Sequence, residues 1–206
     1  MAKTVENLDE YILDDGANIA VVGGGPTGTF FTIFALKMAQ MIGKQLNITV
    51  FEPKNFTKDG PVGCNRCGGI ISELLVQTLA VEGIILPDSV VRKGINSYNL
   101  HTNYGDVFIT TPDLERTIAT VYRGGGPKGM TTEGKESFDD FLLKEAICGG
   151  AVHKPFRIDR IELRNKRPVL FSKEQEIGEF DLVVGAFGVN STTAKIFEEV
   201  GFGYKE

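Results

Sequence analysis

The chain has 206 residues, 42% of them hydrophobic and 24% charged, with a formal net charge of −5. That suits one globular domain or one and a half, with enough apolar material for a core. No stretch is strongly basic, which argues against a nucleic-acid partner.

The N-terminal stretch MAKTVENLDEYILDD is acidic. It lacks the basic and apolar regions of a signal peptide. No apolar run approaches the ~20 residues that span a bilayer. Cys64, Cys67 and Cys148 are an odd number of cysteines. This disfavours a secreted disulfide framework and points to a reducing, cytoplasmic setting.

In chain order, residues 1–15 read as a short acidic arm, packing through Leu8, Ile12 and Leu13. Asn18 to Val22 is a short apolar run of the buried parallel-strand kind. Glycines follow at once. From Thr27 to Ile42, Phe30, Phe31, Phe34, Met38, Met41 and Ile42 give an apolar residue on nearly every turn. This predicts a buried helix covering a sheet. Asn47 to Phe51 is a second strand, closed by Glu52 and Pro53. Ile71, Leu74, Leu75, Thr78 and Leu79 then fall at helical spacing, with Ser72 as N-cap.

From about Val90 the pattern turns to strands. Ile95–Thr102 and Val107–Thr111 flank Asn103-Tyr-Gly-Asp, a hairpin signal. Ile118 to Tyr122 reads as a strand, and Gly124 to Met130 as a flexible run. Ser137 opens a second helix, with S-F-D-D spaced as a capping box and Asp140 as the returning acid. Phe138, Phe141, Leu142 and Ala146 form its apolar face. After Gly149-Gly150 come a strand from Ala151, a β-meander through Arg157–Leu163 and Pro168–Phe171, and a last apolar strand, Phe180–Ala186.

Three motifs carry chemistry. Gly23-Gly24-Gly25-Pro26-Thr27-Gly28 satisfies G-x-G-x-x-G between a predicted strand and a predicted helix, and Glu52 ends the next strand. Gly23 permits the tight turn, Gly25 lets a pyrophosphate reach the backbone, and Gly28 lets the helix pack on the sheet. Glu52 can accept hydrogen bonds from ribose hydroxyls, and its charge repels a 2′-phosphate, against NADP. The combination predicts a dinucleotide-binding βαβ unit.

The second motif is Gly60-Pro-Val-Gly-Cys64-Asn-Arg-Cys67-Gly68-Gly69. One C-x-x-C supplies two metal ligands where a stable zinc site needs three or four, and His101 and His153 lie far along the chain. A redox-active dithiol at Cys64 and Cys67 stays open, as does a loop of small residues that approaches a cofactor. The third motif, Asp181-Leu-Val-Val-Gly-Ala-Phe-Gly-Val-Asn-Ser, reads as a strand returning to the nucleotide sheet.

Taken together, these motifs, the F-E-P at 51–53, Tyr122-Arg123, and the capped helix leading to Gly150-Ala151 resemble the geranylgeranyl-reductase-like FAD-dependent oxidoreductases. The resemblance runs over nearly all of the chain from residue 18. It implies FAD as cofactor. Gly23, Gly25, Pro26, Thr27 and Gly28 would hold the pyrophosphate, and Glu52 with Pro53 would meet the adenosine ribose. Cys67, Gly68 and Gly69 would lie beside the flavin, Arg123 near the cofactor, and Ala186 and Gly188 against it through their backbone. It further implies reduction of a C=C bond in an apolar, isoprenoid-like small molecule, by an unassigned electron donor. Cys64 and Cys67 are the only catalytic candidates.

The sequence departs from this family at two places. Phe187 stands where the returning strand usually ends in Ala-Asp-Gly. Family members also continue well past the position of Glu206, into a Gly-Asp motif and most of the substrate cavity. The expected architecture is therefore α/β, a Rossmann-like FAD-binding sheet with a β-meander and a small β-rich insertion, truncated. The arm is 1–15, the FAD-binding domain 16–87 with 133–206, and the start of a substrate domain 88–132. Three alternatives remain: a non-catalytic dinucleotide-binding module needing a partner, an NAD-binding enzyme, and a dithiol electron carrier. A missing C-terminal half, self-association and peripheral membrane contact are further expectations. Elemental analysis of purified protein should find well under one zinc per chain, and one tightly held zinc would make the cysteine loop a structural metal site.

Overall fold

The computed structural model describes residues 12–60, 67–110, 118–124, 134–189 and 191–201. The predicted arm therefore lies outside the described residues as far as residue 11, as do Cys64 and most of the glycine run from 124. By compactness the chain divides into residues 1–53 with 142–206, and 54–141.

The first unit is built on a parallel sheet. Strand β1 (Ala17–Val22) leads through the glycine turn into helix α1 (Pro26–Met41) and returns as β2 (Leu46–Phe51). Beyond β2 lies β8 (Val152–Lys154), and on the other side of β1 lies β12 (Leu182–Gly185), giving the order β12-β1-β2-β8. All three pairings are parallel. The last predicted strand does return to the nucleotide sheet, as its own run of apolar residues suggests.

Alternation along β1 and β2 sends side chains to two faces. Ala20, Val22 and Phe51 join Ile158, Ile161, Leu170 and Phe180 in a buried cluster. Ile161 and Leu170 come from an antiparallel meander of β9 (Arg160–Arg164), β10 (Arg167–Ser172) and β11 (Gln175–Glu179). Phe51 sits edge-on to Phe180, with ring centroids 6.0 Å apart. Helix α4 (Ser191–Glu199), which the sequence pattern did not announce, adds Ile196 and Phe197 to the same cluster.

Helix α1 differs from expectation in the face it buries. Gly28, Thr29, Thr32 and Ala39 are its buried residues, while Met38, Met41 and Ile42 are 66%, 78% and 71% exposed. Small residues let the helix come close to the sheet. The two threonines are buried without an unsatisfied hydroxyl: Thr29 Oγ1 donates to Gly25 O at 3.0 Å and Thr32 Oγ1 to Gly28 O at 2.8 Å. Because α1 is apolar on nearly all sides, hydrophobic periodicity could not choose between its faces.

The second unit holds a small antiparallel sheet in the order β3-β7-β4, from β3 (Ile70–Ser72), β7 (Ile118–Val121) and β4 (Val91–Ile95). Helix α2 (Glu73–Val81) starts where expected, with Ser72 Oγ accepting from Leu75 N–H at 3.1 Å. Ile71 belongs to β3 rather than to the helix. The predicted hairpin is β5 (Ser97–Thr102) and β6 (Gly105–Thr110), paired Tyr98↔Ile109 and Leu100↔Val107. Helix α3 (Phe138–Cys148) carries the chain back to the first unit, burying Leu142, Leu143 and Ala146. Among the described residues no helix is long and apolar enough to cross a membrane.

Leu170 is fully buried at the centre of the meander cluster. Leu170→Ala should cost about 2–5 kcal/mol of stability, the range for truncating a core leucine. Urea denaturation checks this, and a change within ~0.5 kcal/mol would mean the meander does not pack on the sheet as described.

Candidate functional site

The turn between β1 and α1 is a place where backbones nearly touch. A Cβ at Gly28 would be driven into the Gly23 carbonyl oxygen, and one at Gly23 into the Ala186 carbonyl oxygen. Gly23 also has φ 112°, a conformation that disfavours any side chain. Its N–H donates to Phe51 O at 2.9 Å, and Ala186 N–H donates to Val22 O at 2.8 Å. The ends of β1, β2 and β12 therefore converge on one glycine turn. That brings Ala186 to the glycine motif, as the sequence had paired them.

Glu52 closes this arrangement. Its side chain is buried, and Oε2 accepts the Gly24 N–H at 2.9 Å. A Cβ on Gly24 would stand 2.7 Å from the Cβ of Glu52. Gly24 thus matters as much as the three glycines of the motif, although G-x-G-x-x-G leaves its position open. The signal available in the sequence was the unbroken Gly23-Gly24-Gly25 run.

The start of α1 is left open to a ligand. Gly25 is the N-cap, no side chain caps the first turn, Pro26 occupies N1, and no acidic residue lies in that turn. A helix N-terminus of this kind presents backbone N–H groups and a positive dipole end. The donor set suits a pyrophosphate, and the missing Cβ atoms leave the approach clear. A carboxylate accepts from hydroxyls as it does from the Gly24 N–H, and ribose hydroxyls are donors of that kind. Pro53 follows Glu52 directly. Gly188 has φ 62° with open space where a Cβ would stand.

In the second unit, Cys67, Gly69 and Arg123 come together. Arg123 binds Asp139 through two 2.6 Å hydrogen bonds and donates from Nη1 to Cys67 Sγ at 3.1 Å. Cys67 Sγ also accepts the Gly69 N–H at 3.3 Å. Gly69 has φ 66°, and a Cβ there would strike the Val121 carbonyl oxygen. Gly69 O accepts the Val121 N–H at 2.7 Å, which fastens the loop to β7. Gly68 stands between them, with only Ile70 near a Cβ. Sequence reasoning missed Asp139. It singled out the neighbouring acid of the capping box, and nothing local links Asp139 to Arg123. Among the described residues no group of three or more His, Cys, Asp and Glu could hold a metal ion.

No family model and no curated relative matches the chain. Solved structures do. The flavin-dependent brominase Bmp2 matches with a TM-score of 0.56 at 15% identity, over 88% of this chain and 40% of the brominase. Halogenase PltM, in complex with phloroglucinol and FAD, gives 0.55 at 14% over 82% of this chain and 34% of PltM. The 2,6-dihydroxypyridine-3-hydroxylase from Arthrobacter nicotinovorans gives 0.52 at 16% over 91% and 41%. The chain shares the fold of these enzymes. At such identities the likeness concerns architecture alone, and the chain spans well under half of each neighbour.

Asp139 is 2% exposed in its side chain and Arg123 18%. Asp139→Ala would take the carboxylate partner from a largely buried guanidinium and should cost about 3 kcal/mol or more. Asp139→Asn keeps an acceptor and should cost less. Denaturation midpoints of the two variants check this, and equal small losses would place the pair outside the stable part of the fold.

Proposed function

We propose that the chain binds FAD and forms the nucleotide-binding part of a flavin-dependent oxidoreductase. The observation that carries this reading is the buried Glu52 carboxylate, held on Gly24 N–H at 2.9 Å beside the open end of α1. The arrangement offers amide donors for a diphosphate and an acceptor for ribose, side by side. Solved neighbours named with FAD, PltM and CtdE among them, support the same choice of cofactor.

In this reading Gly23, Gly25, Pro26, Thr27 and Gly28 line the pyrophosphate and Glu52 with Pro53 meets the ribose. Ala186 and Gly188 approach through their backbone. Cys67, Gly68, Gly69 and Arg123 serve the flavin end. Arg123, held by Asp139, positions Cys67 through the hydrogen bond to its Sγ. Bound FAD supplies two-electron chemistry, while the protein supplies position and electrostatics.

The finer reading is reduction of a C=C bond in an apolar, isoprenoid-like molecule, in the cytoplasm. Its support is the C-G-G loop and the resemblance it carries. The halogenase and hydroxylase names belong to neighbours on a fold that hosts several chemistries, so reaction type is argued from the site. The chain covers only 34–41% of the neighbours quoted. Completion by further polypeptide, or by self-association, is accordingly part of the proposal.

Loss of a hydrogen bond to a charged group typically costs about 1.5–3 kcal/mol. Glu52→Ala should therefore weaken FAD and ADP binding roughly tenfold to a hundredfold while the protein stays folded. Titration calorimetry with a parallel melting curve measures both, and unchanged affinity would remove Glu52 from the site.

A further inference from the structure

The imidazole of His153 lies against the strand end that carries Glu52. Strand β8 runs parallel to β2 with Val50 opposite His153 and Phe51 opposite Lys154. Glu52 N–H donates to Lys154 O at 3.1 Å. Nε2 of His153 is 3.0 Å from the Glu52 carbonyl oxygen. A carbonyl oxygen only accepts, so Nε2 is the donor of this bond. In a neutral ring the other nitrogen, Nδ1, then carries the lone pair. Among the described residues Nδ1 makes no hydrogen bond, and the ring is partly exposed.

Its position in the sheet gives that lone pair a use. The glycine turn follows β1, Glu52 follows β2, and His153 stands on β8, the next strand outward. Adjacent strands are roughly 5 Å apart, and open α/β sheets bind ligands at the carboxyl ends of their strands. A nucleotide with its diphosphate at the β1 turn and its ribose at Glu52 has its base next in line, at β8.

We propose that His153 reads that base: Nδ1 accepts a hydrogen bond from the exocyclic amino group of adenine. This rests on the reading of Glu52 as the ribose acceptor. It adds a specificity-determining residue that the glycine motif does not contain. Adenine presents an amino donor where hypoxanthine and guanine present a carbonyl acceptor. Facing such a carbonyl, Nδ1 would be set lone pair against lone pair and left unpaired. Sites built around a hydrogen bond reject ligands that lack its partner more strongly than apolar pockets reject a wrong shape.

The test is titration of the whole chain, at one mildly alkaline pH, with ADP and with IDP, whose bases differ at the purine 6-position. The wild-type protein should bind ADP roughly tenfold tighter than IDP, the ratio expected of one hydrogen bond. His153→Ala should lose that factor for ADP and leave IDP nearly unchanged, so the preference collapses. His153→Gln, which keeps an acceptor oxygen, should retain part of it, and melting curves confirm that both variants are folded. Equal wild-type affinities for ADP and IDP, or a parallel loss of both in His153→Ala, would overturn the assignment of His153 while leaving Glu52 in place. Failure of the wild-type protein to bind either nucleotide would overturn both readings.

Discussion

The first unit depends on the close approach of the β1–α1 turn to the backbone around it. Three chain segments meet there, and at Gly23 and Gly28 a Cβ would overlap a carbonyl oxygen. A collision with backbone cannot be relieved by turning a rotamer. It requires strands or helix to move, and the strands are held by the buried core they share with the meander. The small buried face of α1 follows from the same constraint. A helix that begins this close to the sheet has room for Thr29, Thr32 and Ala39 on its buried face, while Met38 and Met41 are exposed. The site and the fold are therefore one feature: the approach that opens the amides of α1 to a ligand is also what docks α1.

How much of this was legible in the sequence varied with the range of the signal. The βαβ unit was readable because its parts are adjacent in sequence, with glycines at fixed spacing and an acid at the end of the next strand. Ser72 was readable as an N-cap because its partner, the N–H of Leu75, lies three residues away. The buried face of α1 was not, since apolar residues surround the helix and give no directional pattern. Asp139 was not, because its partner Arg123 is 16 positions away and joined to it only by the folded chain. His153 was weighed only as a metal ligand, and its bond to Glu52 O spans 101 positions. Local chemistry left a mark in the sequence, as did the return of the last apolar strand, whereas side-chain pairings between distant positions did not.

The two units use buried polar groups differently. In the first, the buried Glu52 carboxylate accepts its hydrogen bond from a backbone amide, the Gly24 N–H. In the second, Asp139 spends both oxygens on Arg123, and the guanidinium reaches on to Cys67. A bidentate pair of this kind fixes direction as well as charge, because the guanidinium is planar and its donors form a rigid fork. The arginine thereby anchors Cys67, and Gly69 is clamped to Val121 through its own carbonyl.

Phe187 shows how a departure from a family pattern can be absorbed by the fold. In the resembling family an acid usually stands at this place on the returning strand. Here the ring packs against Phe197 of α4, with centroids 5.1 Å apart, and joins the edge of the meander cluster. Gly185 makes room for it: a Cβ there would come within 2.7 Å of the Phe187 ring and 3.1 Å of Phe197. Glycine, phenylalanine and the buried face of α4 thus form one packing unit. An acid placed at position 187 alone would put a charge on apolar neighbours and remove the ring that packs on Phe197. What the strand end brings to the glycine turn is backbone, the Ala186 carbonyl against Gly23 and the Ala186 N–H on Val22 O.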